Sequence, residues 1–218
     1  MTPAHLLLAG GSLLSLGALV SAFKRRDVQC PLPPNVLVLA ETIDTDTASS
    51  LLYALDQRRG PQTLILHTRG GLAVASAQIA EAILDTDTTV VVPYMAYSGG
   101  ALIALSASRL LMGEFAALTP VDPIIDEHRA IHSRDFQGPE LRRVADEYLA
   151  SMSGLVDRIL ARRLIDPQKR RVASQVLLGA TSPHGWPIMR SSVAELGFAV
   201  GSCGPEWGRL LCFLTEPR

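Results

Sequence analysis

The chain predicts an α/β domain built on a parallel sheet with covering helices, preceded by one N-terminal transmembrane helix. Three observations carry this. From Val36 onward, short apolar runs alternate with amphipathic stretches in the order strand, helix, strand, helix, strand. The strand runs lack the polar–apolar alternation of a half-exposed sheet, as expected where helices cover both faces. Residues 5–23 contain no Asp, Glu, Lys or Arg, and Lys24-Arg25-Arg26 follow at once.

That first apolar stretch, at about 1.5 Å per residue, reaches about 28 Å, close to the hydrocarbon thickness of a bilayer. The basic cluster on its C-terminal side orients the chain after Phe23 toward the cytoplasm. Val20-Ser21-Ala22 resembles a cleavage site, but no Lys or Arg precedes the apolar run, as a signal peptide would have. The expected organisation is therefore an anchor with its basic flank over 1–26, an extended Pro-rich linker over 27–35, and a folded domain over 36–218.

Within that domain Val36 to Ala40 reads as a buried strand. Asp44 to Thr47 can cap a helix with Ala48, Leu51, Leu52 and Leu55 on one face. Thr63 to His67 is the next strand, Arg69-Gly70-Gly71 a turn, and Leu72 to Leu84 a helix. Thr88 to Val92 is a third strand. Pro93 ends it, and Ser98-Gly99-Gly100 opens a helix of small and aliphatic residues. Leu110 to Met112 reads as a fourth strand. Gly138-Pro139 starts a long helix whose apolar stripe can pack on the domain or on another subunit. Asp166 to Leu178 and Arg190 to Leu196 are further helices. The tail from Val200, with Trp207 and the apolar run Leu210 to Leu214, reads as a last strand or an interface patch.

Composition narrows the function classes. Net charge is −1, which argues against a nucleic-acid binder that depends on phosphate neutralisation. The cysteines, Cys30, Cys203 and Cys212, form no Cys-x-x-Cys pair. They read as reduced structural thiols, and no metal constellation or cofactor motif is visible. Lysine is scarce: Lys24 and Lys169 are the only two.

The two glycine turns, Gly70-Gly71 and Ser98-Gly99-Gly100, follow consecutive strands. In a parallel sheet both therefore lie at the carboxyl edge, where ligands bind. A serine at the first turn of a helix stands beside unpaired backbone N–H groups that can hold an oxyanion. Close strand–helix packing is the alternative reason for both turns.

Together these segments resemble the serine dehydrogenase proteinase family, whose relatives are the signal peptide peptidase A type and Clp-type serine peptidases of the Clp/crotonase fold. The resemblance rests on Leu64 to Gly71, Val92-Pro93, Ser98 to Ala107, Leu111-Met112-Gly113 and Leu118 to Pro123. It extends to Pro183-His184-Gly185-Trp186-Pro187-Ile188 and Ala194 to Phe198. It implies a Clp/crotonase-like sheet, a membrane anchor, a homo-oligomer and peptide or protein substrates. It implies Ser98 as nucleophile, with Gly70, Gly71 and Gly99 lining an oxyanion hole. The pattern favours proline, threonine and glycine where Arg69, Ala101 and Thr119 stand.

The base is not fixed by the resemblance. Signal peptide peptidases of this type use a lysine, and Lys169 stands at no matched position. Clp peptidases use a histidine after the nucleophile helix, and Phe115 to Pro123 contains none. His184, in a turn that matches the family pattern, is the catalytic candidate beside Ser98, because an imidazole can serve as a general base. His128 and His132 lie in a polar segment, Asp126 to Gln137, that reads as a surface loop able to cover the site. His67 reads as a brace for the glycine turn, and Asp122 as a turn residue or the group that orients a base. Two other functions fit the same turns: a silent relative that binds peptides or partners without cutting, and a crotonase-like enzyme acting on acyl thioesters.

Overall fold

The computed structural model describes residues 35–125, 128–130, 136–179 and 181–215, except the side chains of 128, 129 and 211–215. The expected anchor over residues 5–23 lies outside these. Among the described residues no helix is long and apolar enough to cross a membrane.

The main sheet has five strands: β1 (Val36–Leu39), β2 (Gln62–Leu66), β3 (Thr88–Val92), β5 (Arg109–Met112) and β10 (Val200–Ser202). They lie in the order β1-β2-β3-β5-β10, and every neighbouring pair is parallel. The α/β expectation is met. β2 and β3 are buried along nearly their whole length, so neither strand needs a polar face.

The helices form where the sequence supplies starts and stops. In α1 (Thr45–Asp56) the Asp44 side chain accepts the Thr47 N–H at 2.8 Å. In α5 (Pro167–Leu178) Asp166 accepts the Gln168 N–H at 2.8 Å, and Pro167 takes the first-turn position, where its missing N–H does no harm. Between these lie α2 (Ala73–Leu84), α3 (Gly99–Ser106) and α4 (Pro139–Arg163). All eight residues of α3 are buried. It is the central helix, packed on α2 and overlaid by α4, so it needs no polar face. Met152, Leu155, Val156, Ile159 and Leu160 of α4 join the main core. The long apolar stripe thus serves its own domain.

Short pairings continue the main strands beyond their carboxyl edge. β4 (Met95–Ala96) runs parallel to β6 (Ala117–Leu118), and β9 (Ile188–Met189) pairs antiparallel with β6. Isolated bridges join Thr68 to Ala96 and Ile43 to Gly71. The chain segments that follow β1, β2, β3 and β5 are thereby tied together in a second tier, and both glycine turns belong to it.

Two segments differ from the sequence expectation. The polar stretch near residue 126 is partly a hairpin of β7 (Ile124–Ile125) and β8 (His128–Arg129). Ala130 and Phe136 of the same stretch sit in a small core with Ala145; residues 126, 127 and 131–135 lie outside the described residues. The tail is a strand and then a helix: β10 completes the sheet edge, and α7 (Pro205–Thr215) follows α6 (Arg190–Glu195) in chain order. Gly204-Pro205-Glu206 is a helix-start sequence, with a proline and an acid in the first turn. It overrides the β-propensity of the apolar run behind it.

Candidate active site

Ser98 is the N-cap of α3, with φ 52° and ψ −118°. It is the one non-glycine residue with positive φ among the described residues. Such a backbone costs about 1–3 kcal/mol and persists only where its surroundings impose it. Several contacts do so here. The Ser98 N–H donates to Thr119 Oγ1 at 2.8 Å. The Ser98 carbonyl accepts the Ala101 N–H at 2.9 Å, and the Tyr97 carbonyl accepts the Gly100 N–H at 2.8 Å. The strand–sharp turn–helix geometry presents the serine side chain at the carboxyl edge of the sheet, as in a nucleophile elbow.

The glycine turn is built against it. Gly70 has φ 95°, and a Cβ there would stand 2.7 Å from the Tyr97 carbonyl oxygen and 3.0 Å from Ser98 Cβ. Only glycine lets the two turns meet. Thr68 fastens the turn: its hydroxyl donates to the Glu41 carbonyl at 2.6 Å and accepts the Gly70 N–H at 3.0 Å. The Ile43 N–H donates to the Gly70 carbonyl at 2.9 Å, and the Leu72 N–H to the Ile43 carbonyl at 2.7 Å. Those bonds flank Gly71 and use neither its N–H nor its carbonyl. In α3 the Gly99 N–H is the first of the helix and has no intrahelical partner. Of the three glycines expected to line an oxyanion hole, Gly70 therefore has its N–H engaged by Thr68, while Gly71 and Gly99 keep theirs unused in these bonds.

A cavity of about 500 Å³ opens here, and its wall includes Ser98, Gly99, Gly71, Val121 and Pro123. Leu72, Val74, Ile124, Ile125, Tyr148 and Met152 make the rest of it mostly apolar. Ala73, Val74, Tyr148 and Met152 also line a second hollow of about 620 Å³ between α2 and α4. The two hollows form one groove that starts at Ser98. Leu72 (55 % exposed) and Val74 (58 %) stand open to solvent on its rim.

The candidate bases fall in different places. His184 Nδ1 lies 3.1 Å from Asp122 Oδ1, and Asp122 is fully buried. Asp122 is thus more than a turn residue: it holds the His184 ring. With the proton on Nδ1, the imidazole donates to that carboxylate, and Nε2 is left as an acceptor. Asp122 stands between Val121 and Pro123, both in the cavity wall, but His184 itself does not line the cavity. Among the described lining residues there is no His and no Lys. Lys169 is exposed, and its stem packs over Gly197. His67 meets the Tyr94 ring edge-on at 6.1 Å, and burial pushes its pKa down. The backbone register sets His128 opposite Ile125 of the cavity wall. His128's side chain and the whole of His132 lie outside the described residues. Cys203 is a free, half-buried thiol whose pKa is pushed up by burial.

Sequence reasoning missed two participants. Thr119 accepts the Ser98 N–H from 21 positions away, and Thr68 ties the Gly70 N–H, two residues on, to the Glu41 carbonyl 27 positions back; nothing local in the sequence marks the distant partners.

A parallel sheet with a strained serine at a helix start, facing a glycine turn, defines the class as Clp-like serine hydrolases. The chain belongs to the ClpP-like SDH-type serine proteinase family, whose model matches residues 39–214. It is 35 % identical over 158 residues to an uncharacterised protein of Methanocaldococcus jannaschii, covering 67 % of this chain and 54 % of that one. It is 33 % identical over 159 residues to a second uncharacterised protein of that organism, covering 67 % and 55 %. The chain thus spans about half the length of these relatives. Among solved structures it is similar to the 1510-N membrane-bound stomatin-specific protease, solved as a serine-to-alanine mutant. The TM-score is 0.54 with 13 % identity, over 77 % of this chain and 78 % of that one. That likeness speaks for the fold.

Proposed function

We propose that this chain is a serine peptidase that cleaves peptide bonds through a Ser98 acyl-enzyme and is held at a membrane by residues 5–23. The supporting observation is the left-handed Ser98 backbone at the head of α3, facing the Gly71 turn. Ser98 Oγ attacks the scissile carbonyl, and the oxygen that becomes negative is held by the Gly71 and Gly99 N–H groups. His184, its Nδ1 turned to Asp122, takes the serine proton on Nε2 and returns it to the leaving amine. Water then hydrolyses the acyl-serine. Catalysis proceeds in a homo-oligomer whose soluble domains face the cytoplasm.

The test is labelling of the full-length chain in detergent with a fluorophosphonate probe. Wild type labels. His184→Ala labels at least about 100-fold more slowly, within the usual range for losing a general base, and Lys169→Ala labels like wild type. If His184→Ala labels like wild type, the base assignment falls. His128→Ala is then the next variant, because of its register opposite Ile125.

The groove supports a substrate whose apolar side chains flank the scissile bond. Val74→Asp places a charge on its open rim. The expected result is an approximately tenfold higher KM for an apolar peptide, the scale of one unburied aliphatic side chain. An unchanged KM would remove Val74 from the substrate path.

A second reading is favoured by one observation: the described cavity wall offers no His or Lys. A silent relative would hold apolar peptides in this groove without cutting them. Fluorescence titration of a labelled peptide, with binding but neither cleavage nor probe labelling, identifies it.

A further inference from the structure

We propose that Thr119 is a positioning residue for Ser98, its hydroxyl fixing the serine backbone in the left-handed conformation that aims Oγ and the Gly99 N–H at one point. The inference rests on the Ser98 assignment above for its catalytic consequence, but the contact itself stands on geometry.

The β4–β6 ladder pairs Met95 with Ala117 and Ala96 with Leu118. Two residues beyond Ala96 the chain turns into α3. A regular ladder cannot continue through φ 52°, because its rungs need extended backbone on both strands. The Ser98 N–H is left at the end of the ladder. It is taken by a side chain, Thr119 Oγ1, at 2.8 Å. The hydroxyl's own proton is directed to the Pro120 carbonyl at 3.2 Å, so a lone pair faces the Ser98 N–H. Thr119 is 1 % exposed, and water cannot readily substitute for it.

Two consequences follow for chemistry. First, the Ser98 N–H is removed from the set that can bind an oxyanion, which leaves that task to Gly99 and Gly71. Second, the bond opposes relaxation of the serine backbone. Without it, a buried donor loses its acceptor, and the strained φ loses one of the contacts that impose it. Ser98 is then free to rotate toward ordinary φ, which swings Oγ away from the line to the carbonyl carbon. Misplacement of about 1 Å at a reacting atom can lower a rate about 100-fold.

The experiment compares Thr119→Val, which keeps the shape and removes the acceptor, with Thr119→Ser, which keeps the hydroxyl, in the full-length chain. Two readouts are taken. One is saturation labelling by a fluorophosphonate, resolved into the maximal rate and the probe concentration at half-saturation, across pH. The other is amide hydrogen exchange of peptides covering residues 97–102. Expected for Thr119→Val is a maximal rate about 10- to 100-fold lower, with half-saturation and the pH midpoint unchanged, and faster exchange over 97–102. Thr119→Ser restores both. A merely structural role would shift half-saturation and melting together and would leave no rescue by serine.

Exchange and maximal rate both unchanged in Thr119→Val overturn the proposal. If wild type itself does not label, the Ser98 reading fails separately. The exchange arm then decides alone whether Thr119 holds the turn. If Thr119→Val does not fold, the same comparison is made with Thr119→Ala, whose smaller side chain avoids a methyl facing the N–H.

Discussion

Ser98→Ala is expected to abolish fluorophosphonate labelling and to lower peptide hydrolysis by about ten-thousand-fold or more, the scale on which serine peptidases lose their nucleophile. The fold should not be disturbed. Ser98 makes no side-chain cap bond in α3, so no intramolecular cap is lost. Its N–H still reaches Thr119 Oγ1, because that bond uses the backbone. Alanine retains the strain, since any Cβ at φ 52° meets the same crowding. Ser98→Gly removes that Cβ and should melt later than Ser98→Ala, by about 1 kcal/mol of relieved strain, while being equally unlabelled. A later melt with lost activity is the pattern of an active site that stores strain. Labelling that persists in Ser98→Ala would move the nucleophile elsewhere. Ser76, fully buried against Gly99, is then the adjacent hydroxyl to examine.

Much of the site's frame was legible because its signals are local. Strand–turn–helix at Val90 to Ala107, the apolar character of β2 and β3, and the caps at Asp44 and Asp166 each lie within one short window. Gly70 and Gly71 were legible as a pair, but their different duties were not. That distinction depends on Thr68, whose hydroxyl turns back onto the Gly70 N–H two residues on, and on Ile43, which arrives from the segment after β1. Asp122, between Val121 and Pro123, read as a turn residue or as the group that orients a base, and its neighbours favoured the turn. Its burial and its bond to His184, 62 positions away, depend on how the two segments are brought together. The tail was ambiguous for the opposite reason. An apolar run such as Leu210 to Leu214 suits a strand or a helix, and the decision came from the proline and acid just before it.

The second large effect is expected at Gly71, where space rather than backbone angle is decisive. Its φ of 159° lies close to extended values, but a Cβ would fall on the Ile43 carbonyl oxygen, well inside contact distance. The obstacle is backbone, so no side chain can swing aside. Gly71→Ala must push the turn off the Ile43 segment and lose the flanking bonds, Ile43 N–H to Gly70 and Leu72 N–H to Ile43. Two lost hydrogen bonds plus the displacement should lower stability by about 2–4 kcal/mol. A domain of this size then melts about 5–15 °C lower. Labelling should also fail, because the displaced turn carries its N–H away from the Ser98 Oγ path. Gly60→Ala supplies the contrast. Its φ of 82° is left-handed, yet nothing lies within 4 Å of its would-be Cβ. It should lose only the modest conformational term, about 1 kcal/mol, and label normally. A Gly71→Ala protein that melts and labels like wild type would mean the turn is not clamped to Ile43, and the oxyanion role of its N–H would fall with that clamp.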